Sequence, residues 1–171
     1  MRRKISQITR EDFYKLKQVI DYQFGPKISD ILLGSSSNLS RIYAYKSPNT
    51  LRIREVYLED KPLFTIRAED FKILLRIYGA YLLWKNTRTP EYRVVVVSDI
   101  AEYIENGGNV FSRHVLSVDE NRRYGDEVIV VDEDDRLLGV GTLKLSPEEI
   151  LFFTRGEAVR IRETVRDLEP R

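Results

Sequence analysis

His114 is the only imidazole in this 171-residue chain, and the chain has no thiol. That removes the relays and zinc sites in which several such groups must converge on one atom. The glycines follow neither the spacing of a dinucleotide loop nor that of a phosphate loop with its lysine after the second glycine. Carboxylates are plentiful, but Asp132, Glu133, Asp134 and Asp135 fall in one short turn between two apolar runs. A solvated hairpin tip accounts for such a cluster, with calcium binding as the functional alternative. No catalytic residue, metal or cofactor is therefore expected. What the side chains do offer is guanidinium chemistry. Arg160 and Arg162 are two apart in an extended run and so share a strand face, as do Arg52 and Arg54 in LRIREV, beside Lys46. A planar guanidinium grips a phosphate with parallel N–H groups and stacks on bases, so paired arginines suit a polyanion, or else an ion pair within the fold.

The elements that must carry these groups can be read from hydrophobic spacing. Residues 109–165 form short apolar runs punctuated at Gly125, the acidic turn, Gly139, Gly141 and Gly156, the pattern of a small β-barrel or sandwich. DEVIVVDEDDRLLGVGTLKL predicts a hairpin, with Gly139 and Gly141 as strand glycines beside a closely passing backbone. SPEEI predicts a short helix with Ser146 as cap and Pro147 in its first turn. Upstream, Phe13, Leu16, Lys17, Ile20 and Phe24 recur at three- and four-residue steps between Thr9 and Gly25, predicting an amphipathic helix. KISDILL predicts a second, shorter helix. RIYAYK, LRIREVYL, PLFTIRA and FKILLRI read as strands, GAYLLWK as either helix or strand, and YRVVVVSDI as a buried strand. DIAEYIENGG predicts a helix stopped by Gly107 and Gly108, and that double glycine is taken as the boundary. The expectation is an α+β fold: an α+β domain with an antiparallel sheet over residues 1–107, then a β-barrel over 108–171. Met1 to Thr9 is expected to be a loose tail whose MRRK could touch phosphate, and Arg166 to Arg171 to fray.

A hydrophobic share of 42% is enough for packed cores. No apolar run is of signal-peptide or membrane-spanning length, so a soluble, cytoplasmic protein is expected. A net charge of +1 hides an asymmetry: residues 1–108 hold 18 Lys and Arg against 13 Asp and Glu, whereas 109–171 hold 10 against 14. A nucleic-acid site in the acidic half must therefore gather its cations on one face, or borrow its neighbour's.

The order VFSRHV, RRYGDEVIVV, LLGVGTLKLS and GEAVRIRETV resembles the PUA domain, the RNA-binding barrel named from pseudouridine synthases and archaeosine transglycosylase. Further upstream, DYQFGPKISDILL, LRIREVYLEDKPLFTIRAEDF and IYGAYLL resemble the domain that precedes PUA in archaeosine tRNA-guanine transglycosylase, so the likeness runs from about Asp21 to Val165. In that family the catalytic aspartates and the zinc site belong to a large barrel ahead of this region, so no residue here inherits those roles. In PUA domains RNA runs along the first strand, a short helix, the glycine turn after it and the last strand. Carried over, that implies Arg113 and His114 on the first of these, Arg122, Arg123 and Gly125 on the next two, and Arg160 and Arg162 on the last. Lys144 and Arg155 would be rim contacts, and Arg52 and Arg54 a supporting surface. Gly125 would turn its N–H toward a phosphate.

Each has a plainer reading. Arg122 and Arg123 can serve solubility at a helix end, and Gly125-Asp126 is needed by its turn in any case. His114 stands where the family pattern has an aromatic ring, and can serve simply as packing. The resemblance implies an archaeal, non-catalytic RNA-binding subunit. It would bind structured RNA, tRNA foremost, and present it to a separately encoded transglycosylase-type chain of the archaeosine tRNA-modification pathway. A PUA-type factor in ribosome assembly or translation is the alternative.

Overall fold

The computed structural model describes residues 4–168, which divide between Leu83 and Trp84 into two compact units. In the first unit α1 (Arg10–Phe24) is capped by Thr9, whose hydroxyl accepts from the Asp12 N–H, and it buries Phe13, Leu16, Ile20 and Phe24. Its Asp21 carboxylate accepts from both the N–H and the hydroxyl of Ser29, which fixes the start of α2 (Ile28–Leu33). Five strands follow one another in an antiparallel meander: β1 (Ile5–Gln7), β2 (Ile42–Lys46), β3 (Ile53–Leu58), β4 (Lys61–Ile66) and β5 (Ile73–Leu75). The register aligns Ala44, Val56, Phe64 and Leu75 across the sheet, all buried. Burial of Val56 therefore settles which side of LRIREVYL faces the core. The exposed edge of β5 is closed by the Gln23 side chain, which donates to the Ile73 carbonyl and accepts from its N–H, both at 2.8 Å.

GAYLLWK resolves as a helix, α3 (Ile77–Asn86). A Cβ on Gly79 would lie 2.2 Å from the Leu63 carbonyl oxygen, so only glycine lets this helix lie against β4. The amino-terminal stretch is not a loose tail throughout. Residues 5–7 pair with Tyr43–Tyr45 as β1, while Arg2 and Arg3, with the phosphate contact considered for them, lie outside the described residues.

The second unit comprises β6 (Arg93–Val96), α4 (Ala101–Glu105), β7 (Val110–Phe111), β8 (Val115–Val118), β9 (Glu127–Val131), β10 (Leu137–Leu143), α5 (Pro147–Phe152) and β11 (Glu157–Thr164). Its six strands form a nearly closed barrel-like sheet in the order β7-β11-β10-β9-β6-β8. Val94, Val96, Val110, Val128, Val130, Leu138, Leu143 and Val159 meet in its core with Ile104 of α4 and Ile150 of α5. This moves the boundary from the double glycine back to Leu83/Trp84. The run YRVVVV belongs to the barrel, because β6 lies between β9, parallel, and β8, antiparallel. Gly107 and Gly108 only end α4, their N–H groups donating to Ile104 and Tyr103.

Three local expectations change. The strand VFSRHV breaks into β7 and β8 around a single helical turn, Ser112–His114. The segment around Arg122 and Arg123 is a turn rather than a helix, held by Asp119, which accepts from the N–H groups of Tyr92 and Asn121. At the other end residues 165–168 form a helical turn, with the Thr164 N–H donating to Asp167 and Arg166 donating to Asn106. SPEEI forms a full capping box between Ser146 and Glu149. Gly139 and Gly141 admit the β11 backbone as expected: a Cβ at Gly141 would sit 2.2 Å from the Arg160 carbonyl.

The acidic turn is a structural clamp more than a solvated tip. Asp132 accepts from the N–H groups of Asp134 and Arg136 and from Arg136 Nε. Asp135 pairs at 2.6 Å with Arg93, which is 1% exposed and also donates to the Trp84, Thr87 and Glu91 carbonyls. Burying a guanidinium is tolerable only when its donors are met in this way.

Candidate nucleic-acid interface

One rim of the barrel is stitched together by four main-chain hydrogen bonds. Gly125 N–H donates to the Leu143 carbonyl (2.8 Å), Leu143 N–H to Asp126 (2.9 Å), Lys144 N–H to Ala158 (2.8 Å) and Ser112 N–H to Gly156 (3.0 Å). The turn 123–126, the end of β10, the turn into β11 and the helical turn 112–114 therefore follow one another along a single edge. Arg123, Lys144, Arg155 and Arg113 issue from these four segments, and none of them has a carboxylate partner among the described residues.

Exposed rings stand beside these cations. Lys144 Nζ lies 5.7 Å from the centroid of Tyr124, a ring that is 65% exposed. Phe111, Arg113, Thr154, Arg155 and Gly156 line a shallow cavity of about 330 Å³. Arg113 Nε donates to His114 Nε2 at 3.0 Å, so His114, half-buried, helps to orient this guanidinium. Phe111 and Tyr124 were not singled out from sequence. The signal was there, since each ring lies within two residues of an arginine.

Other candidates are engaged elsewhere. Arg162 donates through both terminal nitrogens to Glu127, at 2.6 and 2.9 Å, and to Thr142. Arg160 does share the outward strand face, but its Nε donates to Glu157 at 2.9 Å. These two arginines are therefore neutralised by neighbouring acids and do not form an open pair. Arg122 packs inward, its guanidinium 4.6 Å above the Tyr92 ring and 3.3 Å from Asp119. The Gly125 N–H points at Leu143 and is not available to a phosphate, and its φ of 83° shows that the turn itself requires glycine. In the first unit, Arg54 is drawn toward the core side of β3 with its Nη1 buried, and Arg52 lies over Phe71 at 4.9 Å.

A free cation cluster with flanking rings can neutralise phosphates and stack bases.

Comparison with known proteins agrees with this architecture. Residues 14–90 match the patch-forming domain C2 of tRNA-guanine transglycosylase, and residues 92–165 match the PUA domain. Over 151 residues the chain is 36% identical to a tRNA-guanine(15) transglycosylase of Methanococcus maripaludis, covering 88% of this chain and 22% of that protein. Against a protein so named in Methanosphaera stadtmanae the identity is 37% over 158 residues, 92% of this chain and 23% of the relative. The chain thus spans less than a quarter of the length of the curated relatives it matches. Among solved structures, a hypothetical protein of Pyrococcus horikoshii superposes with a TM-score of 0.72 at 24% identity, covering 96% of each chain. A PUA domain protein of Thermoplasma acidophilum gives 0.60 at 21%, covering 95% of this chain and 94% of that one.

Proposed function

From a chain that joins the C2 domain of tRNA-guanine transglycosylase to a PUA domain, and so belongs among the PUA-domain proteins, we propose an RNA-binding subunit that holds tRNA and presents it to a separate tRNA-modifying chain. The observation that carries the reading is the set of cations Arg113, Arg123, Lys144 and Arg155 along one barrel rim, without carboxylate partners among the described residues, with Phe111 and Tyr124 exposed beside them. Phosphates would be neutralised along the rim, and an unpaired base would stack on a ring, contacts that read shape more than sequence. Residues 109–171 are net acidic, so the reading rests on the gathering of these four cations along one rim, apart from Arg160 and Arg162, which Glu157 and Glu127 neutralise. Support for tRNA in particular comes from relatives bearing the name tRNA-guanine(15) transglycosylase over 88% of this chain. The catalytic partner would supply the reaction, and this chain its grip on the substrate.

The test is competition binding of a tRNA transcript against a ribosomal RNA fragment of equal length, across a salt series, with a transglycosylase-type catalytic chain then added. Preference for tRNA, and a ternary complex with that chain, support the proposal. Equal binding of both RNAs, or preference for the ribosomal fragment, would move the protein to ribosome assembly or translation.

A further inference from the structure

The chain leaves the barrel rim at Lys144 and returns to it at Arg155. Lys144 N–H donates to the Ala158 carbonyl, and Leu145 lies against Gly156, where a Cβ would come within 3.3 Å of it. The excursion 145–156 is thus pinched shut at its base. Within it α5 buries Pro147 and Ile150, the latter in the barrel core. Leu151, Phe152 and Phe153, at the far end of the helix, are all exposed, Phe152 to 83%. The two rings meet edge to face with centroids 5.5 Å apart, so Phe153 braces Phe152 while most of the Phe152 surface stays in water.

Charge is distributed unevenly around this knob. Both acids of α5, Glu148 and Glu149, sit in its first turn, away from the rings, and Glu149 is engaged in the capping box. Phe153 instead leads through Thr154 into Arg155 and Gly156, which share their cavity with Phe111 and Arg113. Arg113, Lys144 and Arg155 have no carboxylate partner among the described residues. An apolar knob with open cations at its base is complementary to a strand that is anionic along its backbone and flat and apolar at its bases. A paired strand keeps its base faces stacked inside the duplex and has none to offer Phe152. Only unpaired nucleotides satisfy the cations and the ring together.

On the strength of the RNA-binding reading above, we infer that α5 is a second stacking platform, on which Phe152 takes an unpaired nucleobase of the same RNA whose phosphates lie at Arg113, Lys144 and Arg155. The substrate class is then an RNA helix that ends in, or is interrupted by, unpaired nucleotides. The test uses the full chain and two RNA hairpins, one blunt and one with an unpaired tail carrying 2-aminopurine, whose fluorescence falls on stacking. The parent should bind the tailed hairpin more tightly and quench the probe. Phe152→Ala should weaken the tailed hairpin about 10-fold, reduce the quenching, and leave both the blunt hairpin and the salt slope unchanged. Phe152→Tyr keeps a ring and should bind like the parent. Both variants should melt with the parent, because the side chain they alter is exposed. A Phe152→Ala chain that binds and quenches like the parent, or that loses both hairpins alike, would overturn the inference and leave the RNA reading standing. So would one that keeps the tailed hairpin but loses the complex with a transglycosylase-type chain, which would assign the rings to protein. A parent that binds neither hairpin would remove the RNA reading, and this inference with it.

Discussion

Arg162 clasps Glu127 through both terminal nitrogens, at 2.6 and 2.9 Å, and Glu127 is 2% exposed. Thr142 donates its hydroxyl to the same carboxylate at 2.7 Å, so β9, β10 and β11 are locked together by one charge pair whose acid is buried. Removing one partner leaves the other charged and dry. Arg162→Ala is therefore expected to cost about 3–5 kcal/mol of unfolding free energy in denaturant titration. The neighbouring Arg160→Ala, which breaks an exposed pair with Glu157, should cost about 0–1 kcal/mol. Equal costs for the two would contradict the assignment.

RNA affinity should depend on a different pair. Arg113→Glu with Arg155→Glu, on segments joined by the Ser112–Gly156 hydrogen bond, is expected to weaken tRNA binding. The double substitution should also reduce the slope of log K against log salt by about 0.7–0.9 for each phosphate no longer neutralised. Filter binding across a salt series reads both quantities, and an unchanged slope would remove these residues from the interface.

Ring stacking gives a separate signal. Phe111→Ala and Tyr124→Ala should each cost about 1–3 kcal/mol of affinity for RNA with an unpaired end, with the salt slope kept. A fully paired duplex should show no such loss. Loss on both RNAs alike would point to a packing role for the rings.

The hairpin clamp predicts a pH dependence. Burial by itself pushes the Asp132 carboxyl up, but the Arg136 N–H and guanidinium and the Asp134 N–H hold it below the usual range. The folded-state value thus lies under the unfolded one of about 3.9. The stabilisation is therefore present above that pH and is lost as pH falls through the folded value. Asp132→Asn should be less stable than the parent at neutral pH, by about 1–3 kcal/mol, and the gap should close below about pH 4. Thermal melts of the two proteins from neutral to acid pH check this; a constant gap would count against it.

Gly141→Ala should be costly for a reason unrelated to conformational freedom. The added Cβ would meet the Arg160 carbonyl at 2.2 Å, and backbone must move to admit it. Gly107→Ala meets no atom within 4 Å and pays only for its φ of 94°, about 1 kcal/mol. Melting temperatures of the two variants should differ accordingly.

Much of this protein could be read from residue order. The spacing Phe13, Leu16, Ile20, Phe24 specifies α1, because only a helix puts steps of three and four on one face. Ser146-Pro147 and Glu149 specify the start of α5, since capping is a contact between near neighbours. The motif order from VFSRHV to GEAVRIRETV, residues 110–165, carried the barrel itself, in agreement with the PUA match. Partnership across the fold lay beyond such reading. That β6 belongs to the barrel depends on a parallel pairing with β9 some thirty-five residues away, and no local pattern announces it. Nor does sequence tell a free arginine from a spent one. Arg162 and Arg113 look alike as letters, yet the register of β11 against β10 and β9 sets the first against Glu127, while the turn at Ser112–His114 leaves the second on the rim. Local periodicity is written within a few residues, whereas charge compensation is decided by which strands become neighbours, and only the folded chain establishes that.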